Sequence, residues 1–216
     1  MNTFPLTYEI QRQEEYSRFM PLIKWLLAFP HYVVLVFLGL AALFVLLISF
    51  FAVLFTGRYP RSFFGFLVGV GRWAVRVAAY VLLMTDRYPP FTLDDDPDYP
   101  VRYDVAYPEE GINHWRPLVH WILVFPYHVI AGILSNLALT VSFFALFTIL
   151  FTKRYPPGMF DLALNGLRWG ARANVYAAWM TNTYPPFEWE PQQPTPPTAA
   201  TAVQPAAEEP PAAPTA

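Results

Sequence analysis

The sequence predicts an all-α integral membrane protein made of two tandem repeats. Each repeat pairs a long apolar membrane helix with an Arg-bearing amphipathic helix, and a short β-strand leads into each. Three observations predict this: a shortage of charge, two uncharged runs of membrane length, and a self-similarity at fixed spacing.

Only 14% of the 216 residues are charged and 55% are hydrophobic, whereas soluble domains carry about 25% charged residues. The shortage is local. No charged residue occurs from Tyr32 to Phe55 or from Val129 to Phe151. About 20 apolar residues suffice to cross a bilayer core. The first apolar run begins near Leu22, and a cleaved leader has an apolar stretch of only about 7–15 residues. No small-residue cleavage site follows it, so the run is read as retained. Trp25, Phe29, His31 and Tyr32 open the run and Arg58-Tyr59 closes it, as an interfacial belt would. Pro30 and Pro126 are expected to kink the chain where a surface helix turns into the membrane. The long segments are placed at 31–55 and 127–151.

The repeat has a fixed offset. Pro21-Leu22-Ile23-Lys24-Trp25 returns as Pro117-Leu118-Val119-His120-Trp121, 96 positions on. Phe55-Thr56-Gly57-Arg58-Tyr59-Pro60 returns as Phe151-Thr152-Lys153-Arg154-Tyr155-Pro156, and Tyr88-Pro89-Pro90-Phe91 as Tyr184-Pro185-Pro186-Phe187. An ungapped match of this length points to duplication, which is common in membrane folds. The units are assigned to 1–91 and 99–187. An acidic linker spans 92–98. A Pro/Ala-rich tail, 188–216, has a composition that cannot bury a core and is expected to be disordered.

The lead-ins alternate apolar and polar residues. Leu6, Tyr8 and Ile10 match Val101, Tyr103 and Val105, at strand periodicity. The second helices, Ser62 to Met84 and Gly158 to Met180, carry a narrow polar stripe. In the first it is Gly65, Gly69, Arg72, Arg76 and Tyr80; in the second, Asp161, Asn165, Arg168, Arg172 and Tyr176. Phe63, Leu67, Val70, Ala74, Val77 and Val81 form the opposite face. Such a helix either lies in the interface with its Arg toward water or spans with them inside a bundle. A buried Arg costs about 2.5–3.5 kcal/mol on the insertion scale, which apolar residues at about −0.3 to −0.6 kcal/mol each nearly offset. The interfacial arrangement is favoured.

The run Leu54-Phe-Thr-Gly-Arg-Tyr-Pro60, then Gly69-Val-Gly-Arg-Trp-Ala-Val-Arg-Val-Ala-Ala-Tyr80, then Leu83-Met-Thr-Asp-Arg-Tyr-Pro-Pro-Phe91, resembles the domain-of-unknown-function family numbered 4389. The resemblance covers both copies, nearly all of 4–187. It implies a prokaryotic membrane protein with tandem copies of the actinobacterial type, and it brings no activity with it. The second copy departs at Lys153 for Gly57 and at Asn182-Thr183 for Asp86-Arg87.

The Arg pairs are the one charged feature at membrane depth in both copies. Arg72 and Arg76 lie one turn apart and could share a phosphate, with Trp73 and Tyr80 at the interface. Arg168, Trp169, Arg172 and Tyr176 repeat the set. These eight are the lipid-headgroup candidates; the plainer alternative is snorkelling that sets helix depth.

Other chemistry finds little support. A net charge of −2 argues against a nucleic-acid partner, and the absence of cysteine removes disulfides, thiolate metal sites and Cys nucleophiles. His31, His114, His120 and His128 show no metal-ligand spacing. Asp94–Asp98 lacks the glycine and closing glutamate of a calcium loop. No nucleophile elbow, phosphate loop or dinucleotide fingerprint occurs, so neither an enzyme nor a cofactor or metal is expected.

The expected function is a non-catalytic structural or accessory subunit of a membrane assembly, multi-pass in the cell membrane. Its expected partners are membrane lipids, with membrane-protein partners or a homo-oligomer possible. The alternative is an anionic-lipid-binding or bilayer-shaping module. A small-solute transporter is disfavoured, because the long segments carry no charge where a midplane site would sit. Topology is left with two branches. One span per unit with an interfacial Arg helix inverts the second unit and separates the strands. A spanning Arg helix, or a long segment folded as a hairpin near Gly39 and Ser135-Asn136, keeps the strands on one side.

Overall fold

The computed structural model describes residues 4–189; the Pro/Ala-rich tail beyond Trp189 lies outside them. In chain order the elements are β1 (Leu6–Ile10), α1 (Met20–Leu27), α2 (Phe29–Thr56), α3 (Arg61–Val81), β2 (Val101–Val105), α4 (Arg116–Thr152) and α5 (Pro157–Ala177). Both lead-in strands form where the alternation placed them. The second helices end three residues before the expected Met84 and Met180. Leu83 and Trp179 adopt positive φ, which ends the helical path.

Pro30 coincides with a one-residue joint in the first long run, whereas Pro126 leaves the second run unbroken. Ala28 keeps helical dihedrals, and its N–H reaches the Lys24 carbonyl, so α1 and α2 follow one another with only a one-residue joint. Pro126 sits inside an unbroken α4. Each long stretch is 37 residues, about 55 Å at 1.5 Å per residue. Gly39, Ser135 and Asn136 lie within continuous helix, so neither long segment folds back as a hairpin. Gly57 and Lys153 end the two runs in left-handed conformation. At Gly57 a Cβ would stand 2.8 Å from His114 Nε2, so a larger residue there must displace that imidazole, while glycine takes the left-handed φ at no steric cost.

Antiparallel pairing of β1 and β2 places Tyr8 opposite Tyr103, flanked by Leu6–Val105 and Ile10–Val101. Tyr8 and Tyr103 are repeat mates and the two flanking pairs exchange under the repeat, so the pseudo-two-fold axis interchanging the units passes between the two tyrosines, normal to the sheet. The inverted topology, which would hold the strands on opposite sides, is therefore corrected. Contacts away from the sheet obey the same symmetry. Tyr16 N–H donates to the Lys153 carbonyl at 2.9 Å, and its mate Ile112 N–H donates to the Gly57 carbonyl at 2.7 Å. The start of each long helix thus lies beside the end of the other, and the two run antiparallel across the axis.

Three layers result. The inner sheet face, with Tyr8, Ile10, Val101, Tyr103 and Val105, is buried on α3 and α5. Those helices pack by their opposite sides on α2 and α4. Thr7, Glu9, Arg102 and Asp104 line the exposed outer sheet face.

The α4–α5 crossing is the closer one. A Cβ on Gly166 would lie 2.5 Å from the Leu134 carbonyl, whereas the first unit has Val70 at the matching position. Gly166→Val is expected to drive the two helices apart at a cost of about 1–3 kcal/mol. Thermal unfolding in detergent measures it, and an unchanged midpoint would show that the crossing is not glycine-limited.

Candidate functional site

A helix with two arginines on one face must give them water, anions or carbonyls. Here they receive carbonyls from extended segments. Arg72 Nε donates to the Tyr103 carbonyl at 3.1 Å and Nη1 to the Leu93 carbonyl at 2.9 Å, while Nη2 meets Asp104 Oδ1 at 3.2 Å. Arg76 Nη2 donates to the Asp94 carbonyl at 3.0 Å, and its side chain is fully buried. Asp95 stands 3.7–3.8 Å from both guanidinium groups.

The second unit repeats the arrangement from the other side. Arg168 Nε donates to the Tyr8 carbonyl at 2.9 Å, and Arg172 Nη1 to the Glu188 carbonyl at 3.3 Å. Tyr8 and Tyr103 are repeat mates, so each unit's arginine helix grips the strand that leads into the other unit. Together these are two reciprocal clamps across the axis. The planar fork suits arginine, because three separate acceptors surround Arg72. Burial pushes the Tyr103 phenol up to about 12, against the opposing pull of Arg72. It therefore stays neutral beside the clamp.

The polar stripe faces inward, toward the sheet and the 92–95 segment, and this corrects the expectation that the arginines face water. Across the helix Ala74 is exposed and Phe63, Leu67, Val70 and Val81 are partly so, while Val77 is buried. The acidic linker is likewise more than a connector, since its backbone caps Arg72 and Arg76. Gly69 permits this approach, a Cβ there lying 2.9 Å from Leu93 Cβ.

The two tryptophans of the site hold the long helices. Trp73 Nε1 donates to His31 Nδ1 at 3.0 Å, and Phe91 stacks on the same imidazole at 4.0 Å. In the second unit Trp169 stacks on Tyr127 at 4.8 Å, and Phe187 lies edge-on to Trp169 at 5.8 Å. The Tyr-Pro-Pro-Phe exits thus deliver an aromatic lid onto each Trp. Tyr80 and Tyr176 are buried. Tyr80 lies under Lys24 Nζ at 5.0 Å, and Tyr176 stacks on His120 at 4.1 Å. All eight candidates are thus turned into the interior of the protein, with Arg72 and Arg168 reaching across to the other unit.

Sequence reasoning missed Lys24. Its ammonium is buried, 2.7 Å from Asp86 Oδ1 and 2.8 Å from the Thr85 carbonyl. The second unit places His120 and Asn182 at these positions, so both charges are exchanged together. That paired exchange was the available signal.

Comparison with family models matches residues 21–92 and 115–188 to DUF4389, a domain of unknown function. The chain belongs to the DUF4389 family. The two matched segments are the two helical hairpins with their aromatic exits, so the DUF4389 unit contains the arginine clamp but not the strand it grips. Comparisons with curated proteins and with solved structures gave no match. Among the described residues of this DUF4389 protein, no three His, Asp or Glu side chains converge as a metal site would.

Proposed function

We propose that this protein is a non-catalytic structural or accessory subunit of the cell membrane, embedded through its long helices and offering its charged sheet to partners. The supporting observation is the distribution of apolar surface. Three helices are long and apolar enough to cross a membrane. Phe29, Phe37, Leu40, Phe44 and Phe51 on α2, and Phe125, Ile133, Phe143 and Phe147 on α4, stand bare. Meanwhile Arg76, Arg168, Arg172 and Lys24 are buried. Apolar faces left bare along two long helices, with four cations buried beneath them, depart from the arrangement of a water-soluble fold and suit lipid.

The protein is expected to stay in the membrane pellet through alkaline carbonate and to leave it only with detergent. Release by carbonate alone overturns the membrane reading. Co-purification in mild detergent then tests the accessory role, and a strictly monomeric, partner-free protein counts against it. Bilayer shaping is the second reading, favoured by the two bare helices sharing one layer. Tubulation of liposomes by purified protein supports it, and unchanged vesicle shape at high protein load removes it.

A further inference from the structure

We propose that the protein lies in the membrane rather than across it, with α1, α2 and α4 immersed parallel to the surface in one leaflet and the sheet in the adjoining water. This rests on the membrane reading above and specifies its orientation.

The symmetry carries the argument. A pseudo-two-fold axis keeps each residue at about the same height as its repeat mate. The axis is normal to the sheet, and the long helices run antiparallel across it. The layers therefore stack along the axis: charged sheet face, arginine helices, apolar helices. At one pole stand exposed Glu9, Arg102 and Asp104, with Asp94, Asp95 and Asp98 in the adjoining loop. At the other pole lie the bare faces of α2 and α4.

If the long helices spanned, the axis would lie in the bilayer plane. The sheet centre would then sit midway between the helix ends, at the bilayer centre. Glu9, Arg102 and Asp104 on the sheet would then face hydrocarbon, which charged groups strongly avoid. Turning the axis along the membrane normal removes the conflict, because the charged pole meets water and the apolar pole meets acyl chains.

Length gives a second, independent argument. Phe19, Phe37 and Phe55 are spaced 18 residues apart, five helical turns, and so share one face. They are 73%, 68% and 75% exposed. Their repeat mates Trp115, Ile133 and Phe151 are 73%, 64% and 75% exposed. The bare stripe therefore runs the whole ~55 Å of each helix, well beyond a hydrocarbon core of about 30 Å. A helix in the plane wets its full length with acyl chains; an upright one leaves its ends in water. The end tryptophans suit this, since Trp25 and Trp121 Nε1 donate to the carbonyls of Leu22 and Leu118 in their own helices and so need no headgroup or water.

The test uses the full chain, which has no native cysteine. Glu15→Cys and Glu110→Cys mark opposite ends of the long helices, and Asp98→Cys marks the acidic loop. An impermeant maleimide applied to sealed vesicles of known sidedness should label all three from one side only. Spin labels at Phe19→Cys, Phe37→Cys and Phe55→Cys, in phosphatidylcholine–phosphatidylglycerol vesicles, should report similar depths by oxygen and nickel-chelate collision. Glu15 and Glu110 labelled from opposite sides, or Phe37 far deeper than both ends, overturns the in-plane arrangement while leaving a carbonate-resistant membrane protein. Loss of carbonate resistance in the unsubstituted chain overturns the membrane reading itself.

Discussion

Arg72→Ala is expected to destabilise the fold by about 3 kcal/mol, because one truncation frees three acceptors. The guanidinium serves the carbonyls of Tyr103 and Leu93 and the Asp104 carboxylate. Charge-assisted hydrogen bonds contribute about 1.5–3 kcal/mol each, and a buried orphan carbonyl costs about 1–3 kcal/mol. The terms overlap, so their full sum is not expected. Arg72→Lys should recover part of the loss, keeping charge without the planar fork. Arg168→Ala should loosen the same sheet from the other side, through Tyr8. Thermal unfolding in detergent gives the stability change, and hydrogen exchange at the β1–β2 amides locates it. Mass spectrometry of co-purified lipid separates the clamp from the headgroup site expected from sequence. A clamp leaves phosphatidylglycerol retention unchanged in the Lys variant, whereas a headgroup site loses the lipid first. Stability equal to wild type in Arg72→Ala would remove the clamp.

The Lys24–Asp86 pair should show the second large effect. Lys24→Met leaves the Asp86 carboxylate without its cation and removes the donor to the Thr85 carbonyl. Removing one member of a buried pair costs about 3–5 kcal/mol. Asp86 is 18% exposed, so the lower end of that range is expected. The double variant Lys24→His, Asp86→Asn copies the second unit, where His120 Nδ1 meets the Tyr176 carbonyl at 2.9 Å and Asn182 Nδ2 donates to the Gly111 carbonyl at 2.8 Å. It should regain most of the loss, since no charge is then buried. A double variant no more stable than Lys24→Met would mean that the two units' solutions are not interchangeable. Unfolding midpoints for wild type, both single variants and the double variant complete the cycle.

Much of the fold was legible because the signals were local. Strand alternation at 6–10 and 101–105, two uncharged runs and a spacing of 96 gave the elements and their repetition. Helix ends slipped by three residues, since Leu83 and Trp179 carry no turn signature in their residue type. The site was legible only as a list. The arginines could be named because charge is rare in these helices, but their partners are backbone carbonyls, and every residue type carries one. No side-chain pattern could say which carbonyls they reach. The acidic linker misled for a related reason: its carboxylates drew attention, while the carbonyls of Leu93 and Asp94 hold the arginines.

The sequence by itself determined that apolar surface far exceeds what the chain can bury, that the unit is duplicated, and that each copy carries two arginines one turn apart. Those properties follow from composition and short-range spacing. Tertiary structure alone decided which way the arginine stripe faces and how the copies are related. A polar stripe satisfies its donors equally well with water, phosphate or carbonyl oxygen, so amphipathicity fixes the stripe but not its direction. A duplicated sequence fits an inverted or a same-side pair equally well. The pairing of Tyr8 with Tyr103 chose between them, because two strands can exchange backbone hydrogen bonds only when they lie on the same side.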